Sequence, residues 1–539
     1  MLSSVSSTLT RNATVAALGA ALDQRFGDAV SMHDEQGCAE VCFVVGRPEA
    51  LGALAHFLFW DFGCSFGGLI VEQRDQWILR YLFLLPTGGW AHFLLHCPLD
   101  RRVVPSISAQ VHAADWYERE AEDLFGLEFS EHPRLGDFVL HDQVWQEGLA
   151  PMRRKFDAYQ EHLEKRPQDD WHPVLVVQDP GSFAMPVGPV YEGGTGESVH
   201  FLLETVGEDV IRAVPRLFYN YRAVEKIAEG RSATDVLLLS ERFSAVSAFA
   251  HSLAYCQAIE RVLGVEIPRR AIRLRVALCE LERLRHHMGA ISGICQSTAL
   301  SVSEAHAGII EEQLLRASCS FSGHRYLFGL NTPGGLRRDF NADMCRDLLV
   351  AVDAASAQIR NLEERLRYTS SFLDRLEDVG VVSPDQARDL DLVGPVGRAS
   401  GIGHDLRRAC PYLEYESYEF EIPNEREGDG YARLRVLFAE SQQSVLLIHQ
   451  AIDLLEPGEV LTGLLRFTEG AACGWVEAPI GGAVHWVRLD RTGCVERYRI
   501  LSPSFRNWLG LHVAVEDFAF QDFPIILATF ALSASECDR

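Results

Sequence analysis

LRVALCELERLRHHMGAISGIC (residues 274–295) decides how the chain folds. Leu274, Leu278, Leu281, Leu284, Met288, Ile291 and Cys295 recur at three- and four-residue steps, the spacing that lines one face of an α-helix. Leu348, Val352, Ala355, Ile359, Leu362 and Leu366 repeat that spacing. Such stripes within residues 250–375 predict helices packed side by side in a bundle.

The sequence before the bundle has another texture. AEVCFVVG (39–46), WILRYLFLL (77–85) and WAHFLLHCPL (90–99) read as strands. DWYEREAEDLFG (115–126) reads as a helix with Asp115 near its start and Gly126 at its end. The charged, proline-containing stretch MRRKFDAYQEHLEKRPQDDWHPV (152–174) reads as a linker. The expected class is α+β: a small α/β domain over 1–150, a linker over 151–180, and a mainly helical bundle domain over 181–539. Short strands such as HWVRLD (485–490) and ERYRIL (496–501) are placed at the periphery of that bundle.

Among 539 residues, 75 acidic side chains outnumber 50 basic ones, for a net charge of -25. A nucleic-acid binder needs a basic face, so that class is excluded. The acidity suits docking to basic partners. No apolar run reaches the roughly 18 residues that span a bilayer, so no transmembrane segment is expected. The N-terminal stretch MLSSVSSTLTRNATVAALGAALDQRFG lacks the basic start and solid apolar core of a signal peptide. The 13 cysteines are scattered singly, Cys38 and Cys42 are the nearest pair, and no CxxC occurs. That pattern predicts a reducing compartment, without a disulfide framework or a self-contained zinc or iron–sulfur site. Gly193-Gly194-x-Gly196 and Gly401-x-Gly403 do not follow a strand and open a helix, so no contact with NAD is expected.

EREAEDLFGLEFSEHPRLGDFVLHDQVWQEGLAPMRRKFD (118–157) resembles the signature of the 30-kDa subunit of complex I. Residues 186–539 resemble the complex I 49-kDa subunit and the large subunits of nickel–iron hydrogenases. PVGPVYEGG (186–194), ERFSAVSAFAHSLAYCQAIERVLG (241–264), ELERLRHHMGAISGIC (280–295), GPVGRASGIGHDLRR (394–408), EGDGYARLRV (427–436), EAPIGGAVHWV (477–487) and PSFRNW (503–508) carry that likeness. ELERLRHHMGAISGIC and the terminal DFPIILATF…CDR look closer to the formate hydrogenlyase, energy-converting type than to complex I proper, and the fusion of both parts in one chain also fits that type.

The resemblance implies where a cofactor would sit. Nickel–iron large subunits hold their metals with R-x-C-G-x-C and DPCxxC, four soft thiolates that two metals share. Those cysteine positions fall here on Ser244 and Ser247, with Ala245 at the glycine, and on Ser533 and Glu536; Cys537 is one step out of register. Three hydroxyls and a carboxylate are hard donors, suited if anything to a hard cation such as magnesium. The arginine of the family's EAPRG is Ile480, which cannot donate a hydrogen bond. No metal and no cofactor is therefore expected on this chain, and hydrogenase activity is not expected. The two histidines of complex I's GPxHPxTHG fall on Tyr191 and Thr195, and its quinone-site tyrosine on Ala245. Tyr191, Glu197 and His251 are the candidates for chemistry. Tyr191 offers a phenol, with His200 nearby; Glu197 corresponds to a proton-relaying glutamate if one inserted residue is allowed, or is a solvated loop acid; His251 is a packed histidine or a proton handler. His286 and His287 receive no role.

The resemblance further implies a peripheral subunit on the cytoplasmic face of a bacterial inner membrane. Expected partners are a small subunit carrying an iron–sulfur cluster, a membrane-embedded base subunit and antiporter-like subunits. The implied activity is electron transfer to a quinone-like acceptor coupled to ion translocation, with a redox-silent coupling subunit as the alternative. The former cofactor cavity is expected to survive as a polar pocket facing the small subunit.

Overall fold

Strands form where β-branched and aromatic residues cluster, and pairing follows their register. Trp77–Leu84 pairs antiparallel with Trp90–Cys97, from Trp77 opposite Cys97 to Leu84 opposite Trp90. They are the centre of a five-stranded sheet in the order Val30–His33, Val41–Val45, Trp90–Cys97, Trp77–Leu84, Ser65–Gln73. Only the Val41–Val45 and Trp90–Cys97 pair is parallel. The helix Asp115–Phe125 stops at Gly126, whose left-handed backbone (φ 67°, ψ 40°) closes its last turn. The chain is described here from a computed structural model covering residues 2–35, 37–136, 138–141, 145–146, 148–157, 181–189, 198–463 and 465–539, with side chains from residue 14 onward. Residues 158–180 of the expected linker lie outside the described residues, as do Tyr191, Thr195 and Glu197.

The stripe in 274–295 belongs to the helix Arg269–Ser297, and every one of its apolar residues is buried. So is most of the rest of that helix. Arg275, Glu280, Glu282, Arg283 and His287 are buried too, because the helices Gly430–Asp453 and Ser301–Ser322 and the hairpin around Ala478 cover its other sides. It is the central rod of the bundle rather than an amphipathic outer helix. Ala342–Arg367 behaves as its pattern predicts: its six stripe residues are buried and most of its opposite face is exposed.

The C-terminal strands correct the expectation of a periphery. Gly470–Ala478, Gly481–Leu489 and Val495–Leu501 form an antiparallel sheet that is buried almost throughout. One face packs on the helix Ala248–Leu263, and Gly474 makes this possible: a Cβ there would overlap the Ala254 carbonyl. On the other side the sheet is welded to the N-terminal sheet by arginines. Arg497 and Arg499 donate to the carbonyls of Val71 and Leu69, each over 3.1 Å. Arg488 meets Glu72 at 2.7 Å, and Arg80 and Arg488 both stack against Trp486, each 5.2 Å from its ring centre. The largest apolar cluster draws on both halves, from Leu18 to Cys537, with smaller clusters beside it. A further sheet, of four strands in the order Phe518–Ala519, Asp209–Arg216, His200–Val206, Ser182–Val187, places His200 at the start of a strand. Among the described residues no helix is long and apolar enough to cross a membrane.

Candidate functional site

Ser247 is the residue before the helix Ala248–Leu263. Its side chain does not cap that helix. The free N–H groups of the first turn are taken instead by Glu282 of the central rod, whose carboxylate accepts from Phe249 N (2.7 Å) and Ala250 N (2.9 Å). Burial pushes Glu282 up to about 7 against those hydrogen bonds. Relieved of capping, Ser247 turns its hydroxyl to Glu536, 2.7 Å from Oε1.

Glu536 is the hub. It is fully buried, and it accepts from Ser247 Oγ, from His251 Nε2 (3.2 Å) and from the Ser504 N–H (3.3 Å). Burial pushes its carboxyl up, but the hydrogen bonds from His251, Ser247 and Ser504 outweigh this and hold it below the ordinary carboxylate value. Ser533 joins through its backbone N–H, which donates to Ser504 Oγ at 3.1 Å. Ser244 is also buried, but its hydroxyl has no partner among the described residues, a cost of about 1–3 kcal/mol. Cys537 is buried with Sγ against the Ser533 carbonyl, 3.8 Å away. Ser247, Ser533 and Glu536 thus converge at the junction of the Ala248–Leu263 helix and the C-terminal tail.

Three of the four positions carry hydroxyls and the fourth a carboxylate already engaged by three donors. That donor set does not fit a nickel–iron centre, which needs soft thiolates. Ser244, Ser247, Ser533 and Glu536 are all buried within this chain alone, and Glu536 links the tail to the helix through Ser247 and His251. Ile480 lies at the hairpin turn between Gly470–Ala478 and Gly481–Leu489, buried with its carbonyl against the backbone of Gly394.

His251 extends the site inward. Its Nδ1 lies 2.9 Å from His485 Nε2, and His485 Nδ1 lies 2.7 Å from the Tyr498 hydroxyl. A carboxylate only accepts, so the network assigns the proton of His251 to Nε2. With one proton on each ring, every donor points the same way: Tyr498 O–H to His485, His485 Nε2–H to His251, His251 Nε2–H to Glu536. Burial, with the nearby His251 and Arg539, holds His485 well below the ordinary imidazole value, and burial holds the Tyr498 phenol well above its own. Both stay neutral around pH 7. The result is a four-residue hydrogen-bond chain from phenol to carboxylate. His485 and Tyr498 were missed in the sequence, although HWVRLD and ERYRIL contain them: strand alternation does not say which polar residue meets which.

A second buried polar system surrounds the residues left without a role. His287 Nε2 is 3.0 Å from Glu440, and Arg398 bridges Glu440 (2.7 Å) and Glu477 (2.8 Å). Arg407 joins Asp405 and Glu280, and Tyr415 and Ser444 complete Glu280. His286 lies beside His287, its Nδ1 3.3 Å from that of His287, and burial with the neighbouring His287 and Arg285 holds it well below the ordinary imidazole value.

The fold and site define a class in which a 30-kDa-type complex I part is fused to a 49-kDa-type part. Residues 45–162 match the family described as Respiratory-chain NADH dehydrogenase, 30 Kd subunit, and residues 309–468 match the 49 Kd subunit of the same dehydrogenase. Formate hydrogenlyase subunit 5 of Escherichia coli (strain K12) is 28% identical over 529 residues, covering 96% of this chain and 92% of that protein. Hydrogenase-4 component G of the same strain is 30% identical over 442 residues, covering 82% of this chain and 76% of that protein. An NADH-quinone oxidoreductase subunit of Solibacter usitatus (strain Ellin6076) is 31% identical over 385 residues, covering 68% of this chain and all of that protein. The chain belongs to the family that these hydrogenase and NADH-quinone oxidoreductase subunits share.

Proposed function

We propose that the chain is the large subunit of a membrane-bound oxidoreductase complex related to hydrogenases and complex I, without a nickel–iron centre, in which Glu536, His251, His485 and Tyr498 handle protons. The relatives' names supply the kind of complex. The observation that carries the site reading is the hydrogen-bond chain ending on Glu536, at a position where the family resemblance puts a metal-ligating cysteine. A carboxylate beside an imidazole takes up and releases a proton without any redox change, and each ring passes on at one nitrogen what it receives at the other.

In this reading the chain sits peripherally on the cytoplasmic face of the inner membrane. It docks on an iron–sulfur small subunit, a membrane-embedded base subunit and antiporter-like subunits. Electrons reach a quinone-like acceptor from the small subunit's cluster, and the proton movement here accompanies ion translocation. Tyr191 and Glu197 remain candidates for contact with that acceptor. The burial of Glu536 within one chain favours a second reading, a redox-silent subunit that passes only proton or conformational movement between its partners. Electron paramagnetic resonance and turnover on the purified complex, with quinones and other acceptors, separate the two. A cluster that is reduced and then re-oxidised by an acceptor supports the first; a complex with neither cluster signal nor turnover refutes it.

A further inference from the structure

Three of the 13 cysteines, Cys38, Cys42 and Cys473, come together at the seam between the two halves. Cys42 and His92 are register partners in the parallel strand pair, so their side chains stand side by side on one face of the sheet. Cys38 lies four residues before Cys42 in the loop that leads into that strand, and its Sγ is 3.6 Å from Cys42 Sγ. The ligand-capable atoms of Cys38, Cys42 and His92 all lie within 4.8 Å of one another, and so do those of Glu40, His92 and Cys473.

The backbone is shaped to hold this arrangement. Gly37 and Cys38 run alongside Gly470 and Ala471: Ala471 N donates to Gly37 O (2.7 Å) and Ala39 N to Ala471 O (3.1 Å). A Cβ on Gly470 would stand 2.9 Å from Gly37 O, so the approach needs a glycine there. Cys473 then lies beside His92, Sγ to Nε2 being 3.6 Å, and its own N–H is held by Glu40 at 3.1 Å.

The chemistry of the set is selective. Arg80 Nη1 lies 3.2 Å from His92 Nδ1. Arginine only donates, so Nδ1 carries the lone pair and Nε2–H faces Cys473 and Glu40. Ligation by Nδ1 displaces the Arg80 hydrogen bond and leaves the other nitrogen tied to a supporting acceptor, the form a metal-binding histidine takes. The surrounding charge is balanced. Arg80, Arg261 and Arg488 face Glu35, Glu40 and Glu72, through Arg80 to Glu35 and Glu72, Arg261 to Glu40, and Arg488 to Glu35 and Glu72. Three positive charges meet three negative ones. One divalent cation bound by two thiolates, with both thiol protons released to solvent, leaves that balance unchanged. Cysteines separated by three residues fall within the usual ligand spacing for zinc, and two thiolates with an imidazole suit it better than magnesium or calcium.

We propose that Cys38, Cys42 and His92 bind one divalent transition-metal ion of the zinc class, with Cys473 and Glu40 orienting His92 from behind. Cys38, only partly buried, leaves the fourth position accessible from solvent. The ion staples the N-terminal sheet to the loop that runs along Gly470–Ala478, and its role is structural.

The test is a titration of the full chain, purified anaerobically under reducing conditions and stripped with a chelator. Cobalt(II) added as a probe is expected to bind at about one equivalent, with intense thiolate-to-cobalt absorption that zinc abolishes by displacement. Cys38→Ser, at a partly exposed loop position, is expected to lose that absorption. Cys473→Ser is expected to keep the equivalent but bind about 10–100-fold more weakly, as loss of a supporting partner does. No tight cobalt or zinc uptake by the unsubstituted chain would overturn the proposal without recourse to any variant. So would unchanged uptake in Cys38→Ser, or a Cys38–Cys42 disulfide in the anaerobic protein.

Discussion

Replacing Glu536 by alanine takes the shared acceptor from three buried donors: Ser247 Oγ–H, His251 Nε2–H and the Ser504 N–H. Each buried donor left unpaired costs about 1–3 kcal/mol, less whatever a hydroxyl recovers by rotating. Removing one member of a buried, charge-assisted set costs about 3–5 kcal/mol in all, and Glu536→Ala is expected in that range. Glu536→Gln keeps the shape and an accepting oxygen but not the charge. Hydrogen bonds to a charged group contribute about 1.5–3 kcal/mol and neutral ones about 0.5–1.5, so the glutamine variant is expected to lose about 1–2 kcal/mol. Urea unfolding of the purified chain at pH 8 reads both values as shifts of midpoint at constant slope. The pH dependence has a definite sign. Glu536 is held below its ordinary value of 4.5, so its contribution is complete above that value and is lost as the pH falls through the lower, folded one. The gap between the unsubstituted chain and Glu536→Gln therefore narrows in acid. A glutamine variant as unstable as the alanine variant, or an alanine variant within about 0.5 kcal/mol of the parent, would refute the role of Glu536 as hub.

Three further outcomes test the scaffold. Burial pushes Glu118 up to about 7, so its folded form holds a proton that the unfolded chain releases from about pH 4.5 upward; stability should fall as the pH rises across that window, and Glu118→Gln should remove the slope and gain up to about 3 kcal/mol at pH 8 by thermal or urea unfolding. Gly474→Ala drives a Cβ into the Ala254 carbonyl and the backbone of Ala258, which cannot rotate away, so the chain should lose more than about 3 kcal/mol or fail to accumulate in soluble form. Arg80→Met strands Glu35 and Glu72 beside a single remaining arginine, costing about 3–5 kcal/mol near neutral pH, and part of that loss should be recovered in acid as the carboxylates protonate.

Much of the scaffold was legible because apolar periodicity reports directly on burial. Ala342–Arg367 is one-sided in pattern and one-sided in burial, and the strands 77–85 and 90–99 form within a residue or two of where alternation and β-branching put them. Arg269–Ser297 shows where that logic stops: the stripe marks a helix, but nothing in it tells that Arg275, Glu280 and Arg283 on the other sides are buried too, since their partners Glu260, Arg407 and Glu440 come from elsewhere in the chain. The buried strands 470–501 were misplaced for the same reason, because their arginines look like solvent-facing residues until Glu72, Glu120 and Glu225 of distant segments meet them. The motif resemblance put Ser247 and Glu536 in one place and the structure brings them into contact, whereas the link from His251 to His485 spans 234 residues of chain. Cys473 joins Cys38, Cys42 and His92 from a still more distant part of the sequence, and the three-residue spacing of Cys38 and Cys42 was the one local sign of that cluster.

In the proposed function, hydroxyls and a hydrogen-bonded carboxylate stand where a hydrogenase large subunit would hold nickel and iron. Nickel measured by mass spectrometry on the purified complex, per mole of this chain, tests it most directly. The account predicts nickel far below one equivalent, whatever the iron carried by the partner subunits; one nickel per chain would contradict it.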